Sequence, residues 1–486
     1  KLLHNATLIN NSPNKCKTAC KIINDSRNVC KTKQDISLTA DDFNNHFITS
    51  VDVMSENVGS CGFTALNLLN KFKVGRNIFK WKSVSEETLL KIVNGFKNST
   101  SKDIYDISSN LLKQVIHVII KPLTLCVNQC LLTGIFPQSL KTSRTIPIFK
   151  KGDQTKIENY RPISIVPVFS KILETVMHRQ LYDYFEINSL FNRAQFGFRR
   201  GLSTIDAVTE LVSSAMHGFE NSSNTKTVLY DLSKAFDTVS HAILISKLEY
   251  YGITGAELKL FSTYLSNRHQ AVYLHGEYSN VLNVNNGVPQ GSVLGPLLFL
   301  IMINDFSPNV DCDSILFADD TTLYNSNNDT TELNIRINKS INDSQKWFQV
   351  NGLCLNINKT QQIQFSLKDG NNLNALNEVK LLGITLDSKL SWAPHIDTVC
   401  VKLSRVVCML RNIKRLVPIN YLKSAYYSFF NSILVYGVCL WGNGSGISKV
   451  LLLQKKAIRI ITGSQYDTHC RPLFKREKIL TVINIY

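Results

Sequence analysis

Asp319 and Asp320 stand side by side in SILFADDTTLY, residues 314–324, and a third carboxylate, Asp231, comes near the end of the apolar run TVLYDL, residues 227–232. Adjacent like charges repel and raise each other's pKa unless a cation lies between them. The flanking residues are apolar and β-branched, so Ser314–Ala318 and Thr321–Tyr324 are expected as two short strands joined by a tight turn with the two aspartates at its tip. A turn built for stability alone would carry Asn-Gly or Asp-Gly, which accept positive φ. A solvated acidic turn accounts for the dipeptide but not for buried runs on both sides of it. Metal chemistry accounts for both. Mg²⁺ takes hard oxygen ligands, one or two carboxylates plus substrate phosphates. Two such ions ~3.5–4 Å apart clamp the attacking and leaving oxygens of a phosphoryl transfer.

The elements that would position these residues alternate between the two periods. RTIPIFKKGD, residues 144–153, reads as a strand running into a basic turn, and KILETVMHRQLYDYFE, residues 171–186, as a helix. LLKQVIHVIIKPLTLCVNQCLLTGIFP, residues 111–137, reads as one or two buried helices. QGSVLGPLLFLIMINDF, residues 290–306, is a glycine-rich turn leading into an apolar helix, with Pro296 fixing its start. CLNINKTQQIQF and VKLLGITLD alternate like strands, and residues 399–461 are helical with Lys and Arg interleaved. Residues 1–80, rich in Asn, Lys, Ser and Thr, read as a linker or partly ordered arm.

The 486 residues carry 54 Lys and Arg against 37 Asp and Glu, a formal charge of +17 that attracts polyanions, nucleic acid first. The longest uninterrupted apolar stretch noted, VLGPLLFLIMI, is shorter than the ~18 residues of a spanning helix, and KLLHNATLIN lacks the core of a secretory signal. No membrane partner is therefore expected. The 12 scattered cysteines favour reduced, mostly buried thiols, and Cys16, Cys20 and Cys30 lack a fourth ligand at zinc-knuckle spacing.

Eight stretches in order resemble the successive motifs of a reverse transcriptase, in particular that of non-LTR (LINE-type) retrotransposons: IPIFKKGD, NYRPISIVPVFSKILE, QFGFRRGLST, YDLSKAFD, GVPQGSVLGPLLF, FADD, LNINKTQQIQF and LLGITLDSKLSW. ILVYGVCLWG and LQKKAIRIITG, residues 433–442 and 453–463, resemble the region that follows the polymerase in that family. The resemblance implies an α+β right-hand polymerase. Residues 1–84 would be an N-terminal extension, 85–386 the fingers and a palm of antiparallel sheet and helices, and 387–486 a helical basic thumb. The implied activity is RNA-directed DNA polymerisation, extending a DNA primer on an RNA template. The alternative is a catalytically inactive nucleic-acid-binding relic.

The same resemblance implies roles. Asp231, Asp319 and Asp320 would be the catalytic metal ligands for two Mg²⁺ ions, with Mn²⁺ as a substitute, and the Leu232 carbonyl or a neighbour would add a ligand. Lys150, Lys151 and Arg161 would grip the triphosphate of the incoming dNTP, guanidinium forks suiting phosphate geometry. Phe236 would exclude a ribose 2′-OH by sterics. Pro289, Gln290 and Gly291 would form a turn along the nucleotide, glycine allowing close backbone approach. Lys359 would protonate the pyrophosphate leaving group, Gly383 would lie in the primer grip, and Asp237 would be structural, capping the next helix. Trp392, His395, Arg405, Arg411, Lys414 and Arg415 would track a template–primer duplex through its backbone. The family usually carries an endonuclease ahead of the polymerase. None is legible here, so the chain is expected to be the polymerase part of a longer polyprotein. Its expected setting is intracellular, a nuclear and cytoplasmic ribonucleoprotein rather than a secreted protein.

Overall fold

The computed structural model describes residues 2–12, 18, 21–22, 38–56, 64–69, 77–368 and 376–486. The chain forms two compact units. The mixed helix-and-sheet fold expected from the sequence is the one observed. Cys16, Cys20 and Cys30 lie outside the described residues.

The larger unit holds Asp35–Ser203 and Val228–Thr360. Its centre is the helix Gly295–Ile303, buried at every position but Pro296. That explains why its sequence is apolar on all sides rather than striped. The helices Val168–Ile187, His241–Tyr250, Gly255–Leu265 and Thr330–Val350 contribute to the same core. Two sheets emerge from it. In one, strand β1 (Thr142–Phe149) pairs antiparallel with β2 (Tyr160–Ile165). In the other, β3 (Asn224–Tyr230), whose last residues belong to this unit, lies next to β9 (Asp320–Asn327), which forms a hairpin with β8 (Asp313–Phe317). A short pair, β4 (Leu232–Ser233) and β10 (Cys354–Leu355), closes the end of β3.

Three expectations change here. Residues 40–56, read as linker, are the helix Ala40–Glu56. Thr39 and Asp42 cap it reciprocally, the Asp42 carboxylate accepting from the Thr39 N–H at 2.9 Å and the Thr39 hydroxyl from the Asp42 N–H at 3.1 Å. Phe43 and Phe47, one turn apart, pack with Val272. Second, residues 111–133 belong to one helix, Ser109–Thr133, with Pro122 inside it. It is long and apolar enough, by length and composition, to cross a membrane. Unbroken apolar runs miss it, because polar residues such as Lys113, His117, Lys121, Asn128 and Gln129, with Pro122, interrupt the run. Nor is it wholly buried: Val118, Leu125 and Leu132 are 83%, 72% and 74% exposed. Third, among the described cysteines only Cys470 is buried, and Cys126, Cys408 and Cys439 are exposed.

The smaller unit holds Lys1–Gln34, Thr204–Thr227 and Gln361–Tyr486. Strands β12 (Glu378–Leu381) and β13 (Ile384–Asp387) form a hairpin. The helix Ala393–Ile413 packs with Ile447–Thr462. The helix Leu2–Asn10 is tied to this unit by Asn5, whose amide donates to the Leu416 carbonyl at 3.2 Å.

Candidate active site

Asp231 sits where β3 gives way to β4. Its backbone carbonyl accepts from the Asn356 N–H at 2.8 Å. Its carboxylate accepts from the Lys359 ammonium at 2.9 Å. Residues 354–359 therefore clasp Asp231 from two directions. Asp319 is at the tip of the β8–β9 hairpin, where Phe317 pairs with Asp320 and leaves Ala318-Asp319 as a two-residue loop. Asp320 is thus the first residue of β9 rather than part of the tip. Ala318 has φ +56°, a conformation a two-residue hairpin loop normally gives to Gly, Asn or Asp.

The segment 194–197 holds that strained tip in place. Leu316 exchanges two backbone bonds with it: its N–H donates to the Ala194 carbonyl at 2.8 Å and its carbonyl accepts from the Phe196 N–H at 2.8 Å. The Gln195 side-chain oxygen accepts from the N–H of Gly197 at 2.8 Å and of Ala318 at 3.3 Å. A Cβ on Gly197 would lie 2.4 Å from the Ala318 nitrogen. Only glycine lets the two backbones approach so closely.

Asp231 and Asp319 line a single cavity of about 560 Å³ together with Lys150, Arg161, Phe236, Pro289, Gln290, Gly291 and Lys359. Lys151 and Asp320 do not line it. Gly383 belongs to the other unit, at the tip of the β12–β13 hairpin, where Leu382 and Gly383 both have positive φ and the Tyr436 ring lies 3.5 Å from where a Cβ would be. Trp392 and His395 are buried, so neither can face a duplex. Burial, then Lys402 and Lys380, push the His395 imidazole down to about 4, which keeps it neutral. Arg405, Arg411, Lys414 and Arg415 are exposed.

The electrostatics of the cavity are unbalanced in both signs. Burial first, and then the Asp231 charge, raise the Asp319 carboxyl above its ordinary value. Burial and the charges of Asp319 and Asp231 push Asp320 up to about 6, although that residue stays open to solvent on one side. Burial, Arg161 and Lys359 lower the Lys150 ammonium. Such a site favours a cation between the two aspartates and an anion on the lysine and arginine. No three His, Cys, Asp or Glu side chains converge on one point among the described residues. Asp231 and Asp319 still offer the hard oxygens a divalent ion takes, and Mg²⁺ normally fills its remaining positions with water and phosphate.

The PQG turn is held from below. The Gln290 amide donates to the Asp237 carboxylate at 2.8 Å. Ser240, not Asp237, caps the following helix. A Cβ on Gly291 (φ +111°) would meet the Ser164 carbonyl of β2 at 2.6 Å, so in this structure the glycine is required by a neighbouring strand. Buried Glu174 accepts from the N–H groups of Val293 and Leu294 at 2.8 and 3.4 Å and from the Ser170 hydroxyl at 2.8 Å, anchoring the start of the core helix. Sequence reasoning gave no role to Glu174, Gln195 or Gly197, though all three lie in stretches it singled out. It also missed Lys234, which lines the cavity and donates to the Ser50 hydroxyl, and Phe47 and Met54 of the helix Ala40–Glu56, which form part of the wall. The capping pair Thr39-x-x-Asp42 ahead of Phe43 and Phe47 was the available signal for that helix.

Residues 148–386 match the family model described as "Reverse transcriptase (RNA-dependent DNA polymerase)". A Drosophila melanogaster protein named "Probable RNA-directed DNA polymerase from transposon BS" is 29% identical over 432 residues, 82% of this chain and 47% of that protein. Another from the same organism, "RNA-directed DNA polymerase from mobile element jockey", is 27% identical over 382 residues, 74% and 41% of the two chains. The chain thus spans about half the length of these relatives. A solved structure of telomerase from Candida albicans covers 71% of this chain and 68% of its own, with a TM-score of 0.44 and 12% identity, a likeness that places no residue and assigns no role.

Proposed function

Residues 148–386 are a reverse transcriptase domain, and the chain is a relative of the non-LTR retrotransposon polymerases; from that premise we propose that it extends a DNA primer along an RNA template. The observation that carries this is the convergence of Asp231 and Asp319 with Lys150, Arg161, Phe236 and Gln290 on one cavity. In the reaction the primer 3′-oxygen bonds to the α-phosphorus of a dNTP as the bond to pyrophosphate breaks. Two Mg²⁺ ions held by Asp231 and Asp319 would supply charge neutralisation and polarise the phosphoryl oxygens. Lys150 and Arg161 offer ammonium and guanidinium donors to the triphosphate. Lys359, which lines the cavity and pairs with Asp231, would give a proton to the leaving pyrophosphate. Phe236 stacks on Phe299 with ring centroids 4.6 Å apart, and a ring held there supports the reading that it excludes a 2′-OH by sterics. Asp237 orients Gln290. In this reading the larger unit supplies fingers and palm and the smaller one a helical thumb. The chain works inside the cell as a ribonucleoprotein, and an endonuclease elsewhere on the same longer polyprotein nicks the DNA that primes it.

The test is primer extension by the purified chain on an RNA template with a DNA primer, dNTPs and Mg²⁺, with Asp319→Asn in parallel. Extension by the native chain and none by the variant is the expected result. If neither extends while both remain folded and bind the hybrid, the chain is a binding relic of such a polymerase.

A further inference from the structure

The smaller unit contains a second basic cavity, of about 850 Å³, built from the helices Ile447–Thr462 and Cys470–Glu477 and the turn after them. Small-ligand sites fall in the range of roughly 300–1,000 Å³. Lys455 and Arg459 are four residues apart on the first helix, Arg471 and Lys475 four apart on the second, so each helix turns a pair of cations to one face. Lys478 adds a fifth, against the one carboxylate of Asp467. None of the five cations takes part in an ion pair among the described residues. Arg459 is fixed in direction, its Nε donating to the Thr468 carbonyl at 2.9 Å. Buried Phe474 and Ile479 make an apolar floor, and Tyr466, in the loop between the helices, is 89% exposed. Cations alone would suit any polyanion. Cations around an apolar floor with an exposed aromatic at hand suit a strand whose bases are unpaired, because each base has a face to stack while its phosphates meet the charges.

We propose that this cavity binds an unpaired stretch of RNA, phosphates on the five cations and bases against Tyr466 and the floor. The choice of RNA rests on the polymerase reading above. The experiment is fluorescence anisotropy of the full chain with a labelled, unstructured RNA of about 12 nucleotides, across roughly 50 to 300 mM KCl. The double variant Arg471→Ala/Lys475→Ala is expected to bind at least about tenfold more weakly. Its plot of log affinity against log salt should be shallower by roughly 1.4, since each phosphate contact on a single strand contributes about 0.7. Tyr466→Ala is expected to weaken binding on the order of tenfold with the slope unchanged. Lys456→Ala, exposed on the same helix but outside the cavity, is the control for net charge. The proposal is overturned if the double variant and Lys456→Ala behave alike, if Tyr466→Ala binds as the native chain does, or if polyglutamate of equal charge displaces the RNA as well as unlabelled RNA does. Equal affinity for DNA of the same sequence overturns the assignment to RNA. Asp319→Asn should keep this binding whatever it does to primer extension, so failure of the polymerase reading and failure of this one are told apart.

Discussion

At the scale of single residues, the two adjacent aspartates divide the work unequally. Asp319 lines the cavity and Asp320 does not. Asp319→Asn should therefore lower the extension rate on the order of 10²–10³-fold, whereas Asp320→Asn should stay within about tenfold of the native chain in steady-state extension. Asp237 provides a pH signature. Burial pushes its carboxyl up to about 6, against about 3.9 in an unfolded chain. The folded state thus holds this proton more tightly, so the stabilisation is complete below pH ~4 and is lost as pH rises through ~6, a change of up to about 3 kcal/mol. Asp237→Asn should remove that loss. Urea unfolding at pH ~4.5 and ~7.5 should show the native chain weakening relative to the variant between the two, and equal slopes would disprove it.

At the scale of elements, the β8–β9 hairpin is positioned by a neighbour rather than by its own turn chemistry. Gly197→Ala forces a Cβ to within 2.4 Å of the Ala318 backbone nitrogen. It should cost about 1–3 kcal/mol or more in stability and reduce extension in proportion to the displacement of Asp319. Ala318→Gly relaxes the positive φ and should raise unfolding free energy by up to about 1 kcal/mol. A variant less stable than the native chain would show that the strain is absent. The hairpin, the apolar strand before Asp231 and the core helix were legible because alternation and unbroken apolar runs are local signals. The props behind them were not. Gln195 and Glu174 act through hydrogen bonds, and Gly197 through close backbone approach, across more than a hundred residues of chain, and no periodicity announces such a contact. Asp237 was misassigned for the same reason: a carboxylate four residues before a helix looks like a cap until its partner, Gln290, is seen.

At the scale of the whole molecule, the larger unit closes around a buried ion pair. The Lys247 ammonium, fully buried, meets the Asp305 carboxylate at 2.5 Å and the Met302 carbonyl at 2.6 Å, and Asp305 also accepts from the Trp347 indole at 3.1 Å. Lys247→Met leaves Asp305 buried and unpaired and should lower unfolding free energy by ~3–5 kcal/mol, read from denaturant midpoints. The α+β class and the order of the motifs could be read from the chain, but the seating of the helix Ala40–Glu56 could not, because Asn44 reaches Ser279 at 3.0 Å across more than two hundred residues. That seating sets where the chain can be cut. The matched domain begins at residue 148, a natural place to start a recombinant fragment. Such a fragment would discard Phe47 and Met54 from the rim of the cavity and the Ser50 hydroxyl that receives Lys234. An inert fragment made that way would report a missing wall, and a fair assay of the chemistry has to begin upstream of Thr39.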